Sequence, residues 1–232
     1  MSASTAWVAG VDGCRGGWVV ALWGGDDWRF TVLPGFAAVL GLRPAPAVWA
    51  VDIPMGLPDA PHPGGRACDQ EARRLLGRPR ASSVFTPPAR SLLGARAYEE
   101  VRGRGLNRQG FRLLPRIREV DALLDPARQG RVREVHPELC FLELAGRPMG
   151  HPKRRREGRE ERRRLLAAAL GPAWEAAWEE ACAGLRGTAG ADDLLDASVA
   201  AWTARRILEG RAVAVPAAPP RDGRGLAMAI WR

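Results

Sequence analysis

Apolar and polar positions along this chain switch between two periods, and the switches mark out its elements. Val8–Asp12 (VAGVD) is a short apolar run that predicts a buried strand, closed by the Gly-rich turn Gly13–Gly17. Trp18–Trp23 (WVVALW) is apolar on both alternating faces, as expected of an inner strand covered from both sides. Trp28, Phe30 and Val32 alternate with Arg29 and Thr31, which predicts a strand with one wet face. Short Gly-containing turns join these three into an antiparallel meander. Phe36–Leu42 predicts a short helix. Ala47–Ile53 (AVWAVDI) is continuously apolar and stops at Pro54, the pattern of a buried parallel strand.

The pattern then changes. Residues 58–118 are rich in Pro, Gly and Arg and carry only short helical stretches. Arg66–Leu76 predicts a helix stopped by Gly77, Ser82–Pro88 a loop, and Pro115–Leu124 a helix opened by its proline. Residues 58–114 read as an Arg-rich elaboration inserted into a single domain of 1–232. Arg131–His136 predicts another strand. Glu157–Leu170 and Pro172–Leu185 predict helices, the second with the apolar stripe Trp174, Trp178, Ala181 and Leu185. Asp193–Glu209 follows as a late helix with Asp192 as N-cap, and Leu226–Trp231 as a terminal strand. The run Lys153–Arg164 mixes both charges and reads as a solvated helix start. A meander followed by strands reached through helical crossovers predicts an α/β fold. Its mixed sheet has helices on both faces.

Composition narrows the class. With 232 residues, 46% hydrophobic and 26% charged, the chain can bury one sizeable core, which excludes a disordered polypeptide. Four cysteines (Cys14, Cys68, Cys140, Cys182) are too sparse for a disulfide scaffold. They form no C-x-x-C pair and, with His62, His136 and His151 scattered, no zinc pattern, so they read as buried thiols. The longest uncharged run, Phe30–Leu42, is interrupted by Pro34, Gly35 and Gly41, which predicts no membrane span. The N-terminus lacks a basic, apolar leader, and the expectation is a cytoplasmic chain.

The formal charge is +9. Every basic residue except Lys153 is arginine, a bias that a GC-rich genome imposes and that weakens the total as a signal. Its placement says more. Residues 66–118 hold 13 Arg against Asp69, Glu71, Glu99 and Glu100, and the rest of the chain is balanced. The excess is therefore local, either a solvated face or a surface for a polyanion.

Three groups of acids stand apart from the helical Arg–Glu pairs. Asp12 ends the first strand, Asp52 lies within the apolar strand, and Asp192, Asp193 and Asp196 crowd the late helix. Asp193 and Asp196 share one helix face. In an open α/β sheet the carboxyl ends of strands line the functional crevice, where Asp12 and Asp52 both fall. Converging carboxylates require a counter-charge, and their hard oxygens suit Mg²⁺ or Mn²⁺. Two such ions about 4 Å apart would support phosphodiester cleavage. Each acid also has a structural reading: a turn aspartate at Asp12, a strand end bonded to backbone at Asp52, helix-dipole partners at Asp193 and Asp196.

At these residues the sequence resembles a known family. The stretches GVDGCRGGWVVAL (10–22), VDIPMGLP (51–58), GGRACDQEARRLLG (64–77), SSVFTPPAR (82–90), LLPRIREVDALL (113–124), REVHPELCF (133–141), HPKRRREG (151–158), DDLLDASVAAWTARR (192–206) and DGRGLAMAIW (222–231) resemble an uncharacterised family described as predicted nucleases with a ribonuclease H-like fold. In that superfamily an acid on the first strand, one at the end of the fourth and one or two on a late helix hold the metals. The resemblance therefore implies Asp12, Asp52, Asp193 and Asp196. The late D-x-x-D looks like that of Holliday-junction resolvases, which implies junctions, hybrids or single strands as substrates and allows a homodimer.

Further candidates complete the expected site. Glu134 and His136 alternate along one strand as extra ligands or proton carriers. Glu138 reads as a cap of the following helix. Lys153, the single lysine, offers a compact charge to a phosphate or oxyanion. Arg15, Arg66, Arg73 and Arg80 are candidates for nucleic-acid phosphates. The leading expectation is a metal-dependent nuclease. The alternatives are an ATP-dependent phosphotransferase or ATPase of the actin-like superfamily, for which the chain is short, and a non-catalytic nucleic-acid- or protein-binding module.

Overall fold

Alternation along the first strand decides the architecture. The computed structural model describes residues 6–232. Its strands β1 (Val8–Cys14), β2 (Gly17–Gly24) and β3 (Asp27–Leu33) form the expected meander. Helix α1 (Phe36–Leu40) leads into β4 (Val48–Val51), and β5 (Val132–Glu134) completes a sheet of order β3-β2-β1-β4-β5. β2 runs against both neighbours, while β1–β4 and β4–β5 pair in parallel.

Odd and even positions face different layers. Ala9, Val11, Trp18, Val20, Trp49 and Val51 pack on one face with Phe36, Leu114, Ile117 and Val120. Val8, Val19, Ala21, Val48 and Ala50 pack on the other with Leu194, Ala197 and Ala201. Both faces of β1, β2 and β4 are thus buried, as their unbroken apolar runs require.

The segment between β4 and β5 contains α2 (Ala67–Leu76), α3 (Arg108–Leu123) and α4 (Pro126–Gln129). Tight 3₁₀ turns at Arg80–Ser83, Arg90–Leu92 and Tyr98–Glu100 lie between α2 and α3. After β5 come α5 (Pro137–Ala145), α6 (Arg156–Leu170), α7 (Pro172–Gly184) and α8 (Ala191–Leu208). β6 (Ala214–Val215) and β7 (Ile230–Trp231) close the chain as a two-stranded ladder, so the expected strand from Leu226 is reduced to its last residues.

Two boundaries differ from expectation. α3 begins seven residues before Pro115, because the Asn107 side chain caps it by accepting from the Gly110 amide at 2.8 Å. Pro115 then sits on the exposed side, and burial of Leu114, Ile117 and Val120 outweighs the one backbone bond it lacks. α8 begins at Ala191, which leaves Asp192 in its first turn. Asp193, not Asp192, serves the helix end, accepting from the Gly190 amide at 2.9 Å.

Glu119 fixes α3 against the sheet. Its carboxylate accepts from Trp18 Nε1 at 3.0 Å and from the Phe36 amide at 2.5 Å, tying α3 to β2 and α1. Toward the start of α3, Arg116, Leu113 and Gln109 face the open end of β1.

Candidate functional site

Parity and register bring the first two acids together. In β1 the residues Val8, Gly10 and Asp12 point to the α8 side. In the parallel β4, Val48 and Ala50 do the same, and Val8 pairs with Val48 and Gly10 with Ala50. Asp52 continues that rank beside Asp12, its amide bonded to the Val11 carbonyl at 2.9 Å. Helix α8 supplies the third acid by crossing β1 directly over Gly10. A Cβ there would lie 2.0 Å from the Ala197 carbonyl oxygen, so only glycine admits this approach. Asp196, the neighbour of Ala197, is thereby carried to the end of β1.

Asp12, Asp52, His136, Glu138, Lys153 and Asp196 line one cleft of about 350 Å³. Arg80, Arg116 and Arg154 stand around it, and Phe85, Leu113 and Ile53 give it an apolar wall. Asp12 Oδ1 accepts from the Gly13 amide at 2.6 Å. The Asp52 carboxylate receives no protein hydrogen bond among the described residues, so it is not the backbone-bonded strand end of its structural reading. Lys153 Nζ donates to Asp196 Oδ2.

Electrostatics follow from burying acids together. Burial, then Asp52 and Asp196, hold the Asp12 carboxyl well above the ordinary range, with Lys153 opposing them. Burial also raises Asp52, against the pull of His136 and Lys153. Asp196 is pushed up to about 6 by burial, again against Lys153. Burial works against the Lys153 charge, but Asp196 and Asp12 outweigh it and hold the ammonium above its ordinary value. The site is a set of carboxylates arranged around one internal cation. Among the described residues no three His, Cys, Asp or Glu side chains converge closely enough to hold a metal ion.

A family described as "Protein of unknown function (DUF429)" matches residues 10–221, a stretch that includes every residue lining the cleft. The chain belongs to that family. No curated protein and no solved structure matches the chain.

Several expected site residues of this DUF429 chain lie elsewhere. Glu134 pairs in register with Val51, whose side chain faces the opposite side of the sheet from Asp52. It points away from the cleft accordingly and accepts from Arg66 at 2.6 and 2.8 Å and from the Met55 amide at 2.6 Å. His136 does reach the cleft because β5 ends at Glu134 and the chain turns into α5, so of the two only His136 lines it. Asp193 is spent on the Gly190 amide and does not line the cleft.

The phosphate candidates divide too. Arg66 is buried between Asp69 and Glu134 and unavailable to a polyanion. Arg73 bonds the Val84 carbonyl at 2.9 Å and Thr86 Oγ1 at 3.1 Å. Arg80 bonds the Met149 carbonyl at 3.0 Å, yet still faces the cleft. Arg15 is exposed in the β1–β2 turn. Cys14 is buried and its thiol is pushed up, the reverse of what a nucleophilic thiolate needs.

Sequence reasoning passes over Arg116 and Arg154 and gives Glu138 only a capping role. The first two are single arginines among many, and nothing local distinguishes them. Glu138 had a usable signal: it follows a parallel strand directly, at the carboxyl end where the crevice lies. Arg162 Nη2 bonds its Oε1 at 2.5 Å, while Oε2 is buried and has no partner among the described residues.

Proposed function

We propose that this chain is a divalent-metal-dependent nuclease, hydrolysing phosphodiester bonds on a ribonuclease H-like sheet. The observation that carries the reading is the meeting of Asp12, Asp52 and Asp196, from β1, the end of β4 and α8, in one cleft. The order β3-β2-β1-β4-β5 with β2 reversed supports the fold assignment, since it is the order expected of that superfamily.

The donor set suits Mg²⁺ or Mn²⁺, being entirely carboxylate oxygen. The unbonded Asp52 carboxylate and the orphaned Glu138 oxygen are acceptors with no protein donor among the described residues. Asp12, Asp52 and Asp196 would hold the ion by drawing in around it, since as they stand no three such side chains among the described residues converge closely enough. When bound, such an ion polarises a phosphoryl oxygen and lowers the pKa of a coordinated water.

The chain's own residues do the rest. Arg80, Arg116 and Arg154 surround the cleft with fixed positive charge and draw in a phosphate backbone. Arg116 is anchored on the Cys14 and Gly17 carbonyls, so its charge is held at the turn after Asp12. His136 stands beside Asp52 and can hold or release a proton at the leaving oxygen. Phe85 and Leu113 offer a surface on which an unpaired base can stack.

The test is cleavage of labelled single-stranded, hybrid and junction substrates with Mn²⁺. The wild type should cut at least one class, and Asp12→Asn and Asp52→Asn should lower the rate at least a hundredfold while keeping the melting temperature. Equal cleavage by mutant and wild type would end the assignment.

A further inference from the structure

We infer that the acidic cleft is a cation-exchange site: Lys153 is its resident counter-ion, and a divalent ion binds by displacing that ammonium, with Glu138, Asp52 and Asp196 closing in around it as ligands. The inference rests on the metal-dependent reading above and adds two residues and an order of events to it.

The first observation concerns Glu138. It is 7% exposed and lies at the first turn of α5, on the cleft wall. Arg162 satisfies one of its oxygens, and among the described residues nothing satisfies the other. A buried carboxylate oxygen without a donor is unfavourable, and such groups normally find a partner. This one lies within electrostatic reach of Asp52 and Asp196, raising both, so the partner it lacks is a cation shared with them.

The second observation concerns Lys153. Its ammonium has three protons to donate, and among the described residues Asp196 alone receives one. The side chain is 38% exposed, whereas Asp196 is 1% exposed, so the lysine enters from the cleft mouth and meets a fixed acid. Lys153 lies in the turn between α5 and α6, outside either helix, and its stem can swing out while both stay in place. Every other cation in the chain is arginine. A guanidinium would lock a carboxylate with two parallel bonds, whereas an ammonium on a flexible stem is a point charge that leaves as a unit. The one lysine stands where the charge has to be exchangeable.

The expected behaviour is competition. In the metal-free protein the ammonium shields the carboxylates. When the ion arrives, the ammonium moves to the cleft mouth, where it is free to meet a substrate phosphate.

Because Lys153 is the only lysine, labelling lysine with ¹⁵N at Nζ gives a single ammonium signal. Titration of the full-length chain with Mg²⁺ should shift that signal and speed its proton exchange with water, with the midpoint of calorimetric Mg²⁺ binding. Lys153→Met should bind Mn²⁺ at least tenfold more tightly than wild type. Adding Glu138→Gln to it should return at least tenfold of that gain. A Lys153 signal unmoved at saturating Mg²⁺, or unchanged Mn²⁺ affinity in a folded Lys153→Met, overturns the exchange and leaves the metal reading standing. Absence of Mg²⁺ and Mn²⁺ binding in wild type and variant alike overturns both.

Discussion

Gly10 lies directly beneath Ala197, so close that a Cβ on Gly10 would stand 2.0 Å from the Ala197 carbonyl oxygen. The contact is backbone against backbone, which no rotamer change can relieve. It sets how near α8 comes to β1, and therefore how near Asp196 comes to Asp12. Gly10→Ala should force α8 outward and destabilise the fold by about 3 kcal/mol, the upper range for overpacking. Urea unfolding measures the loss, and a destabilisation under ~0.5 kcal/mol would contradict the packing argument.

Asp196 should titrate near pH 6 in the folded protein, followed by carboxyl carbon NMR. Its folded pKa lies above the ordinary carboxylate value. Its contribution to stability is thus fully present below about pH 4 and is lost as the pH rises through 6. Lys153→Met removes the opposing cation and should move the midpoint higher. Because ligands must be deprotonated to bind, Mn²⁺ affinity should climb across the same interval.

Arg66 bridges two buried acids, at 2.7 Å from Asp69 and 2.6 Å from Glu134. Arg66→Met should cost about 3–5 kcal/mol, since it leaves both carboxylates buried without a counter-charge. The exposed pair Arg74–Glu71, at 3.6 Å, is the control, and Arg74→Ala should change stability by less than ~1 kcal/mol. Denaturant unfolding of the two variants side by side decides whether burial accounts for the difference.

Arg154 is exposed at the cleft rim. Arg154→Ala should weaken binding of a single-stranded oligonucleotide evenly across sequences. It should also reduce the slope of log affinity against log salt by about one, as loss of one phosphate contact predicts. An unchanged slope would remove Arg154 from the binding surface.

Much of the sheet was legible, because β1, β2 and β4 are buried on both faces and their apolar runs show it. Asp12 and Asp52 were legible for the same reason, as acids at the ends of such runs. Glu134 was not, because its direction depends on the β4–β5 register, and a strand of three residues carries no pattern that sets it. Arg66 and Arg73 resemble surface arginines because partners that bury them lie far along the chain, Glu134 being 68 residues from Arg66 and Val84 11 from Arg73. Helix α3 was truncated because Pro115 is a strong local start signal, overridden here by the Asn107 cap and by packing of Leu114. Glu138 reads as a cap because its position in sequence suits one, while its oxygen without a donor among the described residues is visible only in three dimensions.

The buried Arg66 also bears on how such a chain can change over generations. The segment between β4 and β5 contributes a cation to the sheet's own interior, so it is not an ornament that recombination could trim or trade. A deletion that removed Arg66 with α2 would strand Glu134 inside the core, and a transplant of the two into another protein would carry a guanidinium with Asp69 but without its second acid. Sheet and segment have to be inherited together. Variation in this protein is correspondingly freest at the Tyr98–Glu100 turn, where Glu99 and Glu100 are exposed and, among the described residues, pair with no charge of the core.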